Sequence, residues 1–248
     1  MRYALISDIH ANLPALDAVL RDIRTRDVDA IYHLGDLVGY APWPNEVVER
    51  IASEHIPGVA GNYDSTVATD YKHCGCRYED AKQEELSHLS YAWTRQHVSP
   101  QTKTFLAALP FRIDIRPLGG HTAGPTVTLV HGNHALNTVY VGADRSDDFL
   151  AKMGASLGAR VGDVVAFGHT HVPWQRIVGG VVFLNTGSVG RPKDRDPRAG
   201  YFLLDVGEDG GGSELVRVEY DVEAAASAIA DSELPNELAD FLRAGGAS

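Results

Sequence analysis

Five short polar clusters punctuate this chain: Asp8-Ile9-His10, Gly35-Asp36, Gly61-Asn62-Tyr63-Asp64, His131-Gly132-Asn133 and Gly168-His169-Thr170-His171. Each follows a stretch that reads as a buried strand. Their Asp, His and Asn side chains are the types that hold divalent metals. Imidazole mixed with carboxylate suits Mn, Fe, Zn, Co or Ni better than a hard calcium site. Two such ions about 3.5–4 Å apart can share a bridging hydroxide and clamp a pair of phosphate oxygens, which is the chemistry of phosphate-ester hydrolysis. A bridging carboxylate fits that spacing, and Asp36 is the natural candidate. Gly35, Gly61 and Gly168 let the backbone turn sharply beside the ligands.

Taken singly, each cluster has an ordinary reading. Asp8 could cap the helix that follows, although an Asp-x-His pair is more than a cap needs. Asn62 and Asp64 suit a turn, and Asp64 is expected to orient a neighbour rather than bind metal. His169 and His171, read as part of an extended segment, would point to one side. His33 reads as a core residue with its hydrogen bonds satisfied. His134 reads as a bystander, with a supporting or acid role as the alternative. Cys74-Gly75-Cys76 reads as a tight turn of small, partly buried side chains, or else as thiols at the rim of the site. Asn185 and Ser188 either shape the site or form a structural turn. Arg191, Lys193, Arg195 and Arg198 form a basic group in an acidic chain. It is either a solvated loop, an attractor of phosphate or a subunit contact.

The elements that must carry these clusters alternate. Tyr3 to Ile6 is a short apolar run. Asn12-Leu13-Pro14 opens a helix through Arg26, with Asn12 as cap and Pro14 in the first turn. A strand over 30–34 and a helix over 44–54 follow, and then a third short strand over 57–60. This alternation implies parallel pairing through right-handed crossovers. Residues 65–110 break the pattern and read as a helical insert beside the site, with helices over 79–97 and 100–109. Strands over 111–115 and 126–130, separated by a turn region at 117–125, precede a helix over 145–157 and a strand over 163–167. Gly179-Gly180 joins a hairpin of 175–178 and 181–184. Strands 201–206 and 214–220 flank a glycine-rich turn at 207–212, and the tail over 222–242 is helical. The expected architecture is α/β, one domain over 1–248, with two facing sheets and helices outside.

The net charge of -11 disfavours a nucleic-acid or anionic-membrane surface, and no basic, aromatic-lined tract is present. No apolar run approaches the ~20 residues that span a bilayer. The two cysteines are poorly spaced for an ordinary structural disulfide, so the chain reads as cytoplasmic and reduced.

The set Asp8-x-His10, Gly35-Asp36-x-x-Gly39, Gly61-Asn62-x-Asp64, His131 and Gly168-His169-x-His171 resembles the calcineurin-like metallophosphoesterase superfamily over about residues 1–205. Residues 34–40 and Asn185-Thr186-Gly187-Ser188-Val189-Gly190 resemble its small bacterial branch of YfcE-type phosphodiesterases. The resemblance implies a four-layer α/β/β/α sandwich and two divalent ions, manganese first. One ion would be held by Asp8, His10, Asp36 and His171, and the other by Asp36, Asn62, His131 and His169. It implies catalytic roles at Asp36, Asn62 and His131. At the position where the family carries a histidine that protonates the leaving group, this chain has Tyr63, which could donate a proton but would not cycle as readily as imidazole. The expected activity is hydrolysis of a small phosphate ester, a phosphodiester first and a phosphomonoester or phosphoprotein second. The alternative of another class is a non-catalytic protein-interaction scaffold, a role known on this fold in the retromer coat. The helices over 79–109 could either cover the site or form a homo-oligomer interface.

Overall fold

Two sheets face each other in the computed structural model, which describes residues 1–78, 80–116, 124–207 and 211–246. The chain opens with β1 (Arg2–Ile6), α1 (Leu13–Ile23), β2 (Ala30–His33) and α2 (Pro44–Ser53). β1 and β2 pair in parallel across α1. Asn12 caps α1 by accepting from the Ala15 N–H at 3.2 Å, as its position predicts. α3 (Asn62–Ala68), α4 (Ala81–His97) and α5 (Pro100–Ala107) follow. Then come β3 (Arg112–Ile115), β4 (Val127–Val130), α6 (Asp147–Leu157), β5 (Val164–Phe167), β6 (Trp174–Val178) and β7 (Val181–Asn185). β8 (Ala199–Asp205), β9 (Gly212–Val218), α7 (Val222–Ala230) and α8 (Glu237–Arg243) complete the order. One sheet runs β2-β1-β8-β9 and the other β3-β4-β5-β7-β6. Both are mixed, with parallel pairs β1/β2, β4/β5 and β5/β7.

Alternation along the strands explains the layering. Tyr3 and Leu5 of β1, Phe202 and Leu204 of β8, Val127 and Leu129 of β4, and Val164 and Ala166 of β5 meet between the sheets. Their neighbours face the other way. Ala4, Ile6, Tyr201 and Leu203 pack with Leu16, Leu20, Val47 and Ile51 of the first two helices. Val165, Phe167 and Phe183 pack with Leu150, Met153 and Leu157 of α6. Period-two strands with both faces buried require helices outside both sheets. Each large aliphatic side chain buried this way contributes about 1.5–3 kcal/mol. A further cluster joins α7 and α8 to Ala11, Ala41 and Leu86, so the tail packs beside the loops that follow β1 and β2.

Several expectations change. The strand expected over 57–60 is a single bridge, His33 to Gly58, made by His33 N–H to Pro57 O and Val59 N–H to His33 O, after which Ala60 N–H turns away to Pro110 O. Asn62 and Asp64, expected in a turn, begin α3. The tail divides into two helices. α4 starts after Asp80, whose carboxylate accepts from the Gln83 N–H at 2.8 Å; Glu79, its expected start, lies outside the described residues. So do 117–123 and 208–210, within the two expected glycine-containing turns. Among the described residues, no helix is long and apolar enough to cross a membrane.

Candidate metal centre

The site forms where the two sheets meet. Ser7-Asp8 leaves β1, Leu34-Gly35-Asp36 leaves β2, His131 follows β4, and Gly168-His169 follows β5. Backbone bonds tie these exits together: Asp8 N–H to Gly35 O at 3.0 Å, His10 N–H to Asp36 O at 3.0 Å, and Gly168 N–H to His131 O at 2.9 Å. Gly35 turns at φ +92°. Gly61 and Gly168 serve close approach instead. A Cβ at Gly61 would strike Asp36, and one at Gly168 would strike Ser7 and Asp8.

All seven expected ligands are buried, and six of them gather as two groups, Asp8 with His10 and His171, and Asp36 with His131 and His169. In the first group, His171 Nε2 lies 3.3 Å from Asp8 Oδ1 and His10 Nε2 lies 3.1 Å from His171 Nε2. In the second, His131 Nε2 lies 3.4 Å from Asp36 Oδ2 and 3.1 Å from Oδ1 of Asn62, the seventh. The groups adjoin through Asp36, whose Oδ2 also lies 3.7 Å from His10 Nε2. Asp36 thus stands between the two groups.

The local hydrogen bonds leave ligand atoms free. His10 Nδ1 meets Val38 O at 3.1 Å, His131 Nδ1 meets Leu34 O at 2.7 Å, and His171 Nδ1 meets Arg191 O at 2.6 Å. A proton on each Nδ1 leaves the Nε2 lone pair for a metal, the usual outer support of a ligating imidazole. Asp8 Oδ1 and His169 Nε2 are buried without a hydrogen-bond partner. Most buried polar atoms in proteins are paired, and these two orphans face the cluster, where they fit divalent cations. Burial, and then His171, lowers His10 to about 3, and burial lowers His169 and His171 well below the ordinary value. These three imidazoles are neutral, as ligands must be. Burial also acts to lower His131, but Asp36 and Asp8 overcome it and push the group up to about 10. The carboxylates thus draw positive charge into the cluster, a demand that a cation would meet.

Five of the seven sit in the left-handed region: Asp8 (φ 50°), His10 (48°), Asp36 (54°), His169 (68°) and His171 (61°). Such conformations are uncommon for residues with a Cβ and cluster at functional sites. The segment 169–171 is therefore not extended, as expected, but twice turned. The turns deliver His169 to one group and His171 to the other.

Supporting residues lie around this set. Asp64, as expected, orients neighbours: its carboxylate accepts from the Asp36, Leu37 and Gly61 N–H groups at 2.8–2.9 Å. Asn185 Nδ2 donates to Gly168 O at 2.7 Å, and Ser188 Oγ donates to Asp8 O at 2.7 Å, so both hold ligand loops. His33 is a core residue, fully buried, but against expectation neither ring nitrogen has a hydrogen-bond partner among the described residues. His134 is exposed.

Tyr63 departs from its expected place beside a leaving group. It is 1% exposed, its ring packs edge-on against His10, and its hydroxyl meets Ser87 Oγ at 3.1 Å. Burial holds its proton well above the ordinary phenol range. Cys74 and Cys76 correct another expectation, because their sulfurs are in bonding contact, brought together by Gly75 at φ +73°. Asn62 Nδ2 donates to Cys74 O at 3.1 Å and to Cys76 Sγ at 3.3 Å. The pair thus stands at the rim and turns Asn62 Oδ1 toward His131. Tyr140 was missed in the sequence, yet its ring lies 4.0 Å from that of His169. Its one signal is its place on the loop that runs from His131 and Asn133 to α6.

The sequence profile of the calcineurin-like phosphoesterase superfamily domain matches residues 1–209. The chain is 32% identical to the uncharacterized protein MJ0912 of Methanocaldococcus jannaschii, over 96% of each chain. A metallophosphoesterase from Sphaerobacter thermophilus is similar in structure, with a TM-score of 0.76 and 29% identity, over 99% of each chain. The fold of YfcE, a phosphoesterase from E. coli, matches with a TM-score of 0.51 and 20% identity, over 88% of this chain and all of that one.

Proposed function

The chain belongs to the calcineurin-like phosphoesterase superfamily, and from that premise we propose that it is a dinuclear, metal-dependent phosphodiesterase acting on a small phosphate ester in the cytoplasm, with manganese as the first candidate metal. The observation that carries this reading is the position of Asp36, one carboxylate within reach of both ligand groups. Asp8, His10, Asp36 and His171 would hold one ion, and Asp36, Asn62, His131 and His169 the other. Such ions lower the pKa of a shared water and offset charge on phosphate oxygens.

The chain's own residues supply orientation and exclusion. The Nδ1 bonds of His10, His131 and His171 fix ring planes, so ligand geometry exists before substrate arrives. Asn62 is held by the Cys74 carbonyl, which aims its Oδ1 at the cluster. Because the Tyr63 hydroxyl is engaged with Ser87, no strong acid from that position meets the leaving group. Esters with good leaving groups, such as aryl diesters, are therefore favoured over alkyl ones. A hydrolysis screen with Mn, Ni, Zn and Mg tests this, using bis-aryl phosphate, aryl phosphate, cyclic nucleotides and dinucleotides, with Asp36→Ala as control. The expected result is fastest turnover of the aryl diester, abolished in the control. Fewer than two ions per chain and no hydrolysis with Mn would instead favour a protein-interaction scaffold.

A further inference from the structure

The basic group at 191–198 does not behave as one loop. Arg198 pairs with Asp196 at 2.7 Å. Arg191 turns inward and is 6% exposed. Its guanidinium carbon stands 3.9 Å from the Tyr40 ring centroid and 4.0 Å from that of Phe241. Its main chain is equally fixed: the N–H donates to Ser188 Oγ at 2.8 Å, and the carbonyl accepts from metal-ligand candidate His171. Among the described residues, no carboxylate, carbonyl or hydroxyl receives its guanidinium N–H groups. A cation buried to this degree normally has an anionic partner, and its five donors form a planar fork that matches phosphate oxygens.

The surroundings indicate what that partner is. Arg191 lines a cleft of about 260 Å³ together with Tyr40, Tyr78, Tyr140, Lys193 and Phe241. This cleft lies over the metal centre. The Tyr40 ring is 4.9 Å from the His10 ring, and the Tyr140 ring is 4.0 Å from the His169 ring. Cys76, on the same wall, contacts Asn62. Residues touching both ligand groups therefore border one opening, and Arg191 is the buried, unpartnered cation within it. The volume is below the ordinary ~300–1,000 Å³ of ligand pockets, which suits a phosphoryl group with a small substituent rather than a polymer.

We propose that Arg191 is the substrate-phosphate receptor of this site, clamped for that task between Tyr40 and Phe241. Phe241 belongs to α8, beyond the residues that the family profile matches, so the C-terminal helix contributes a wall of the cleft. The substrate is then a small phosphate ester that presents anionic oxygens to the metal centre and to a guanidinium, between tyrosine rings. This inference rests on the phosphoesterase reading above and adds a binding group outside the metal ligands.

Calorimetric titration of the full-length, Mn-loaded protein with inorganic phosphate tests it, with metal per chain measured on every sample. Arg191→Gln is expected to keep two ions per chain and to weaken phosphate binding by roughly 10–100-fold, the loss of charge-assisted bonds. Arg191→Lys retains charge without the fork and should fall between, as should Phe241→Ala, which frees the guanidinium on one side. On bis-aryl phosphate these variants should raise KM more than they lower kcat. Unchanged phosphate affinity in Arg191→Gln, or in Arg191→Lys should the first variant not fold, would overturn the assignment. A wild-type protein that binds no metal would fail the phosphoesterase reading instead, which keeps the two outcomes separate.

Discussion

Replacing Asp64 by Asn isolates the contribution of a residue outside the two candidate ligand groups. Its two oxygens accept three backbone N–H groups: Asp36 and Gly61 on Oδ2, Leu37 on Oδ1. Those donors frame Asp36 on one side and Asn62 on the other. An Asn can keep the Oδ2 pair on its carbonyl, but its NH2 then faces the Leu37 N–H, leaving that donor unpaired in a fully buried place. An orphaned N–H costs about 1–3 kcal/mol, and the retained bonds lose their charge assistance. The sum is about 2–4 kcal/mol, or roughly 4–16 °C in Tm for a domain of this size. Without metal the balance differs. Burial, and then Asp36, raises the Asp64 carboxyl to about 7. A folded-state value above the ordinary 3.8 means that stability is lost as pH rises from about 4 through 7. Asn carries no such loss, so at about pH 8 the variant should lie closer to wild type in chelator than in Mn. The assay is thermal unfolding with and without Mn, alongside metal content, which should fall below two per chain in the variant. An Asp64→Asn protein with full metal and an unshifted transition would refute the positioning role.

Three further outcomes follow from the same geometry. Burial, and then His131, lowers His33 to about 3, so the unfolded chain takes up the proton first and stability falls below about pH 6.5. Between about pH 7 and 5 wild type should lose about 2 kcal/mol more than His33→Asn in denaturant titrations, and parallel pH profiles would contradict this. Gly168→Ala should drive a methyl into Ser7 and Asp8 and reduce bound metal. Gly158→Ala, at φ +75° with open space around it, should cost about 1 kcal/mol while metal content holds. Tyr63→Phe should lower stability by about 0.5–1.5 kcal/mol through the lost Ser87 bond and leave kcat on aryl diesters within a few-fold. A hundredfold loss of kcat would return the Tyr63 hydroxyl to the chemistry.

The clustering of the candidate ligands was the most legible part of the chain, because ligand chemistry demands particular side chains at strand exits, and these are written locally. The same holds for α1, where the cap, proline and apolar spacing agree, and for the hairpin at Gly179-Gly180. What escaped depends on contacts distant in sequence. Residues 57–60 have strand character, but their partners allow one bridge to His33. The spacing of Cys74 and Cys76 argued against a pairing that the left-handed Gly75 permits. Arg191 reads as part of a solvated basic run until Tyr40, about 150 residues earlier, and Phe241, fifty later, close on it. Tyr63 was placed by analogy with a histidine, whereas burial beneath α4 commits its hydroxyl to Ser87.

With metal bound as proposed, the left-handed backbone at Asp8, His10, Asp36, His169 and His171 would make metal supply a variable of protein lifetime. Each such residue raises the energy of the empty fold by about 1 kcal/mol or more relative to glycine, and two carboxylates with an orphaned imidazole add to it. Ions that bind only the native form would reverse that penalty by mass action. A cell short of metal would therefore hold a chain that opens more often and is cleared sooner. Abundance would track the supply of the ion, and the centre would act as its own quality check before any substrate is met.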